Sequence, residues 1–416
     1  MKKSFYLAAL AAIAMTSCSQ DEVINDSSAL DNNSAITFRT ILDKSPITRA
    51  NTTTGANISK FKVVCYDWNN EHYFGPVDVT KKDGAWTTDR IYNWKKKDKT
   101  LRFFAAHGTS NQYFKEPTDT DNGITGNKYP FLKDAEIHNG PHYMDADGKY
   151  TQQDGTGATD TNDHPMHDIC VAFYEGKEGD GPVALDFKHL LSKVEIQAKN
   201  DKHDNGRKVE VLGARIKGLY KYGTWVYTIG DVPSEAQNKA FEGTWYHNHT
   251  TEEDFAKGDA WIRWHMNATP TTLDNSWKSV LPQEESFMLF PTVESEQGTG
   301  TTAYNKDTAP TGTYLSVICR VTMTDDAGNT NYIVGSATKY GLAMIPVSFK
   351  LEQGKKYIFK LDFTNGSGQV DPTTPVDPDI ELPDGGEGGE EHEGGQIKFE
   401  VTVEEWVNGG ETGTVM

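Results

Sequence analysis

Short runs in which apolar residues alternate with polar ones, cut by Gly, Pro, Asn and Asp, recur along most of this chain. Such runs fit half-buried β-strands joined by turns, and long Leu- and Ala-rich helical stretches are absent. Aromatics make up 11% of residues and glycine is plentiful, as in a turn-rich β protein. Strands are expected at 35–42 (AITFRTIL), 58–67, 100–107 and 169–174. A second series opens near 183 with VALDFKHLLSKVEIQA and KVEVLGARIKG. It continues with ESFMLFPT, TYLSVICRVTM, NYIVGSA, LAMIPVSF and KKYIFKLDF. Many short strands separated by turn signals imply an all-β chain built from sandwiches or barrels.

The 416 residues suffice for two ordinary domains. The boundary is expected near 182, after the Gly-rich EGKEGDGP, giving an N-terminal domain over 35–182 and a C-terminal one over 183–365. A polar insertion at about 108–167 and a Trp- and His-rich one at about 220–280 interrupt the two series. A connection as long as the first is usually functional or a surface decoration. The formal net charge of −19 argues against a nucleic-acid partner, because phosphate affinity comes from Lys and Arg.

The chain opens with an address. Lys2 and Lys3 precede an apolar run at 5–15, shorter than the roughly 20 residues a membrane-spanning helix needs. Thr16 and Ser17 then lead to Cys18, so residues 1–17 read as a signal peptide. A cysteine at the cleavage point is similar to a lipoprotein signal, with Cys18 acylated by palmitate-type chains. Each buried methylene contributes about 0.8 kcal/mol, so several chains hold where one holds weakly. The acidic SQDE at 19–22 resembles the surface-export signal of Bacteroidota lipoproteins. The expected location is therefore the outer face of the outer membrane. Residues 18–34 read as a disordered tether.

At the other end, residues 366–395 hold repeated Pro and Gly, with nine acidic residues from Asp371 to Glu393 and no Lys or Arg. Such a segment reads as an extended, self-repelling linker. One strand follows it within 396–416: Ile397, Phe399, Val401 and Val403 alternate with polar residues, and Trp406 comes next. An isolated strand is unstable in water, so it must pair with a sheet edge. Its four apolar side chains would bury on one face at roughly 1.5–3 kcal/mol each. The edge can be its own or that of another molecule, by β-strand addition. The first strand, with Ile36, Phe38 and Leu42, has a similar pattern. Arg49 follows it in a Pro/Thr/Asn-rich segment of the kind proteases reach. Cleavage there would remove the first strand and open an apolar groove for a similar strand from a neighbour. The alternative is that both strands belong to one uncut molecule.

Enzyme signatures are weak: there is no GxSxG, HExxH, P-loop or GxGxxG entering a helix, and no catalytic residue is assigned. Histidine pairs at His138 and His142, His164 and His167, and His247 and His249 lack further ligands, so neither metal nor cofactor is expected. His189 reads as a core or turn residue. Asp145, Asp147 and Gly148 begin like a calcium loop that then fails, and Asp119 and Asp121 are similar fragments. Cys65, Cys170 and Cys319 sit in apolar strand-like runs and read as buried free thiols, with one disulfide still open. Trp245, Tyr246, Trp261 and Trp264 offer a platform for sugar rings, although core packing is the commoner use.

Together, MTSCSQDE, AITF with TRA at 48–50, VALDFKHLLSKVEI, LEQGKKYIFKLDF and IKFEVTVEEW resemble the fimbrillin family, the type V pilins of Bacteroidota. The resemblance implies two tandem transthyretin-like Greek-key β-sandwiches with long loop insertions. It implies a fimbrial subunit acting in adhesion, with other subunits as partners and a host protein or glycan as a further one. Carried over, Arg49 is the cleavage site and Ala50 the mature start. Ile36, Phe38 and Leu42 line the displaced strand, and Ile397, Phe399, Val401 and Val403 the donor strand. The long acidic linker departs from a simple stalk subunit and leaves room for an accessory, tip or uncut anchor subunit. A monomeric, glycan-binding surface lipoprotein is the alternative from another class.

Overall fold

The computed structural model describes residues 35–40, 58–96, 98–108, 114–115, 131–136, 143–144, 150–153, 159–160, 168–219, 222–227, 243–246, 265–281, 286–292, 301–310, 312–372 and 388–406. Among them the chain is all-β, with no helix. The expected strands at 58–67, 100–107 and 169–174 are Lys60–Tyr66, Leu101–His107 and Cys170–Gly176. These three form the centre of a six-stranded antiparallel sheet. Its order is Lys188–His189, Cys170–Gly176, Leu101–His107, Lys60–Tyr66, His72–Lys82, Ala85–Thr87.

The central strands are apolar nearly throughout because both faces of this sheet are covered. On one face Phe61, Val63, Cys65, Phe103, Ala105 and Ala172 pack with Phe38, Val183 and Leu185. On the other, Val64, Tyr66, Phe104, Ala106 and Val171 pack with Leu132, Trp225, Tyr227 and Trp245. This second cover is a four-stranded sheet ordered Gly243–Tyr246, Tyr222–Tyr227, Phe131–Glu136, Phe114–Lys115. Its strands come from both insertions, which pair where Tyr222–Tyr227 runs antiparallel to Phe131–Glu136. The insertions are thus not only surface decoration: two segments far apart in sequence close one core.

The second series forms two facing sheets around one cluster that includes Val194, Ile196, Val209, Val317, Cys319, Phe359 and Leu361. One sheet runs Lys278–Ser279, Ser192–Lys199, Lys355–Asp362, Lys398–Glu405, with Phe287–Leu289 also pairing to Ser192–Lys199. The other runs His265–Thr272, Arg207–Lys217, Tyr314–Thr324, Thr330–Val334, with Gly341–Pro346 also on Tyr314–Thr324. Ser192–Lys199 and Lys355–Asp362 pair in parallel, bringing together the two stretches that carry most of the family resemblance.

The acidic segment differs from its composition. Residues 373–387 lie outside the described residues, yet both flanks are ordered against the C-terminal sandwich. Val370 N–H donates to Glu390 O at 2.7 Å, and Gly389 N–H returns a bond to Val370 O at 2.8 Å. Gln369 exchanges backbone bonds with Met344, both at 2.8 Å. Asp371 is buried, accepts from Ser316 Oγ and lies 3.9 Å from the Arg215 guanidinium. The Arg207 guanidinium donates to the carbonyls of Phe363 (2.9 Å) and Gly366 (2.8 Å) and to Ser367 Oγ (3.0 Å). Arg215 therefore sets a cation beside one carboxylate of the segment, and Arg207 ties its start down through neutral acceptors.

Candidate functional site

The two terminal strands singled out by their pattern occupy different grooves. Phe38–Thr40 lies in the N-terminal core, paired in parallel with Val183–Leu185 over three residues. Before it, Ile36 N–H donates to Tyr92 O at 2.7 Å. Ile36 and Phe38 point inward and are 8% and 2% exposed. The Phe38 ring meets Phe61 and Phe103 edge-on, at 6.1 Å each. A parallel pair of three residues is a modest hold, so apolar burial carries most of the attachment. Leu42, Arg49, Ala50 and Cys18 lie outside the described residues.

The C-terminal strand, Lys398–Glu405, pairs antiparallel with Lys355–Asp362 along its whole length. It is the last strand of its sheet among the described residues. The expectation that all four apolar side chains bury is corrected here. Ile397 is 4% exposed and Phe399 packs on the core, meeting Phe359 edge-on at 5.2 Å. Val401 and Val403, opposite Phe359 and Tyr357, are 37% and 54% exposed. They alternate with Phe399 onto the same face of the strand, yet on this last strand of the sheet they stay largely open to solvent. Beyond the strand, Trp406 is buried again: its N–H donates to Gly354 O at 3.0 Å, and its ring stacks on His189 at 3.9 Å. The strand is thus pinned at both ends and thinly covered in its middle.

Other sequence candidates separate clearly. Trp245 is buried in the N-terminal core, and its Nε1–H donates to Leu190 O at 3.0 Å, so it offers no platform for a sugar. Trp261 and Trp264 lie outside the described residues, as do His138, His142, His164, His167, His247 and His249, and Asp119, Asp121, Asp145, Asp147 and Gly148. The side chain of Tyr246 is likewise outside them. Cys65, Cys170 and Cys319 are free and buried. Burial pushes the Cys319 thiol up to about 12 and the Cys65 thiol well above its usual range, so neither is a nucleophile. Sequence reasoning passed over one cluster: Asp168, Cys170 and His189, whose donor atoms lie within 4.8 Å of one another. The residues are 19 or more apart in part, and only sheet pairing reveals the group.

Comparison with known proteins follows this architecture. A fimbrial protein from Bacteroides vulgatus is 14% identical, with a TM-score of 0.49, over 90% of this chain and 100% of its own. A candidate cell adhesion protein from Parabacteroides distasonis is 10% identical, with a TM-score of 0.44, over 90% and 98%. A search of curated proteins finds no match. The model of the fimbrillin-like family matches residues 48–406, which is most of the sequence, and the chain therefore belongs to the fimbrillin-like family.

Proposed function

We propose that this protein is a fimbrial subunit of the cell surface, delivered as an outer-membrane lipoprotein through Cys18. Cleavage after Arg49 then frees the first strand, and subunits join by donor-strand exchange. The observation that carries the reading is Phe38: an aromatic side chain buried in the N-terminal core on a strand held by only three backbone pairs. Once the chain is cut, that strand is no longer covalently retained, and its groove accepts a strand of like pattern. Ile397, Phe399, Val401 and Val403 supply that pattern. The two β units, the first of which also takes in Val183–Leu185, Lys188–His189, Tyr222–Tyr227 and Gly243–Tyr246 from beyond the expected boundary at 182, would be the transthyretin-like units such a subunit stacks.

A second reading is favoured by one observation. Ile397 is already buried on the protein's own C-terminal sandwich and Trp406 in its own N-terminal core, which suits a subunit that keeps its lipid and serves as an anchor or accessory. The native N-terminus separates the two. Surface-released protein beginning at Ala50 and running as a ladder of multimers supports the exchanging subunit. Lipidated Cys18 on all native material would reject it in favour of the anchor.

A further inference from the structure

Asp168, Cys170 and His189 meet where three strands cross. Cys170 opens the strand Cys170–Gly176, opposite His107 on one side and His189 on the other. Directly opposed residues in a sheet face the same way, so His107, Cys170 and His189 form one row. Asp168, two residues before Cys170, joins the same face. The backbone is brought in close: a Cβ at Gly108 would sit 2.2 Å from the Asp168 carbonyl, in a left-handed turn that glycine alone suits. Asp168, Cys170 and His189 are all buried.

Hydrogen bonding by itself is one account of this group, and a nucleophilic triad is another. The geometry disfavours the triad. There, the nucleophile and the carboxylate engage opposite nitrogens of the imidazole. Here both converge on one: His189 Nδ1 lies 3.4 Å from Cys170 Sγ and 2.8 Å from Asp168 Oδ2. Three different metal-ligating donors within 4.8 Å of one another, all buried, are also the donor set of a metal site. With zinc bonds of about 2.0–2.3 Å, neighbouring ligands of a tetrahedral ion lie about 3.3–3.6 Å apart. The sulfur–nitrogen separation already fits, and the nitrogen–oxygen one must widen by about 0.5 Å.

We propose that Asp168, Cys170 and His189 bind a divalent zinc-class ion, with the fourth position left to water as in three-ligand zinc sites, since His107 shares their row but lies outside their 4.8 Å group. His107 Nδ1–H donates to Lys60 O at 2.7 Å, which leaves Nε2 as its lone-pair atom. Thiolate, imidazole and carboxylate together suit Zn²⁺ and its spectroscopic substitute Co²⁺ rather than Mg²⁺ or Ca²⁺. On binding, the Cys170 thiol gives its proton to solvent, and the proton between His189 Nδ1 and Asp168 is also lost to solvent while Nε2 takes one up, leaving a neutral imidazole. The ion replaces both at the shared centre. Trp406 stacks on His189, so the site lies under the end of the C-terminal strand.

The test uses the full chain carrying Cys18→Ser, so that the remaining thiols are Cys65, Cys170 and Cys319. It is unfolded in chelator and refolded with Co²⁺ or Zn²⁺, because a buried site loads most readily before closure. The expected results are one cobalt per chain, a thiolate-to-cobalt charge-transfer band, visible ligand-field bands and a higher melting temperature with zinc. Cys170→Ser abolishes the charge-transfer band, while Cys65→Ser and Cys319→Ser keep it. Because loss of an outer partner already weakens binding about 10–100-fold, Asp168→Asn and His189→Gln should weaken zinc by at least that much. Far-ultraviolet dichroism checks that each variant folds. A folded parent without the band, or a band that survives in folded Cys170→Ser, overturns the assignment and leaves a hydrogen-bonded cluster only.

Discussion

Phe38 shows how much one side chain carries. It sits in an aromatic socket while its strand is paired along one edge, so its truncation removes the main attachment. Phe38→Ala is expected to cost about 3–5 kcal/mol, the range for a buried aromatic, read as a lower urea midpoint of the uncut chain. His392 carries a pH dependence. Its Nε2–H donates to Leu342 O at 3.2 Å, and burial lowers its affinity for a proton below the ordinary 6.5. The unfolded chain therefore takes up a proton that the folded chain resists. Stability is full above about pH 6.5 and falls as pH drops below it. The urea midpoint should decline between about pH 7.5 and pH 5.5, and His392→Gln should decline less. His107 is lowered by burial in the same direction, so some dependence remains in that variant. Composition could not foresee a buried His392, since its neighbours on the chain are acidic and glycine-rich.

At the scale of the element, the C-terminal strand divides into pinned ends and a thin middle. Ile397→Ala is expected to destabilise its docking by about 2–5 kcal/mol, whereas Val401→Thr and Val403→Thr should each lie within about 0.5 kcal/mol. Hydrogen exchange over 398–405 reads this directly: protection should fall in the first variant and persist in the others. In a neighbour's closed groove the two valines would be covered, so Val401→Thr with Val403→Thr should impair assembly far more than folding. Equal effects on both would count against a donor role. Alternation at 397–403 made the strand legible. What it could not specify was which of the four side chains lie under the facing sheet, because that depends on how far the sandwich extends.

For the whole molecule, the two grooves predict a coupled experiment. A labelled peptide of residues 395–406 should bind the chain after cleavage at Arg49 and not before. In the uncut protein Phe38 fills the groove at high effective concentration through its covalent link. Binding to both forms, or to neither, would argue against strand exchange into this groove.

Much of the architecture could be read locally. Apolar runs cut by turn residues located most strands, including those holding FKVVCY and LRFFAA, and the structure then covers these two on both faces. Partner choice leaves no such local signal. Tyr222–Tyr227 joins Phe131–Glu136, residue 369 meets 344 and 391, and Asp168 and Cys170 meet His189, all through contacts between distant segments. Tertiary packing also turned Trp245 inward and ordered the flanks of an acidic segment by placing Arg207 and Arg215 beside it. Local pattern states which faces of the strands tend to leave water, Val401 and Val403 being exceptions. Only the closed fold decides which of them meet, and whether charge finds its counterpart.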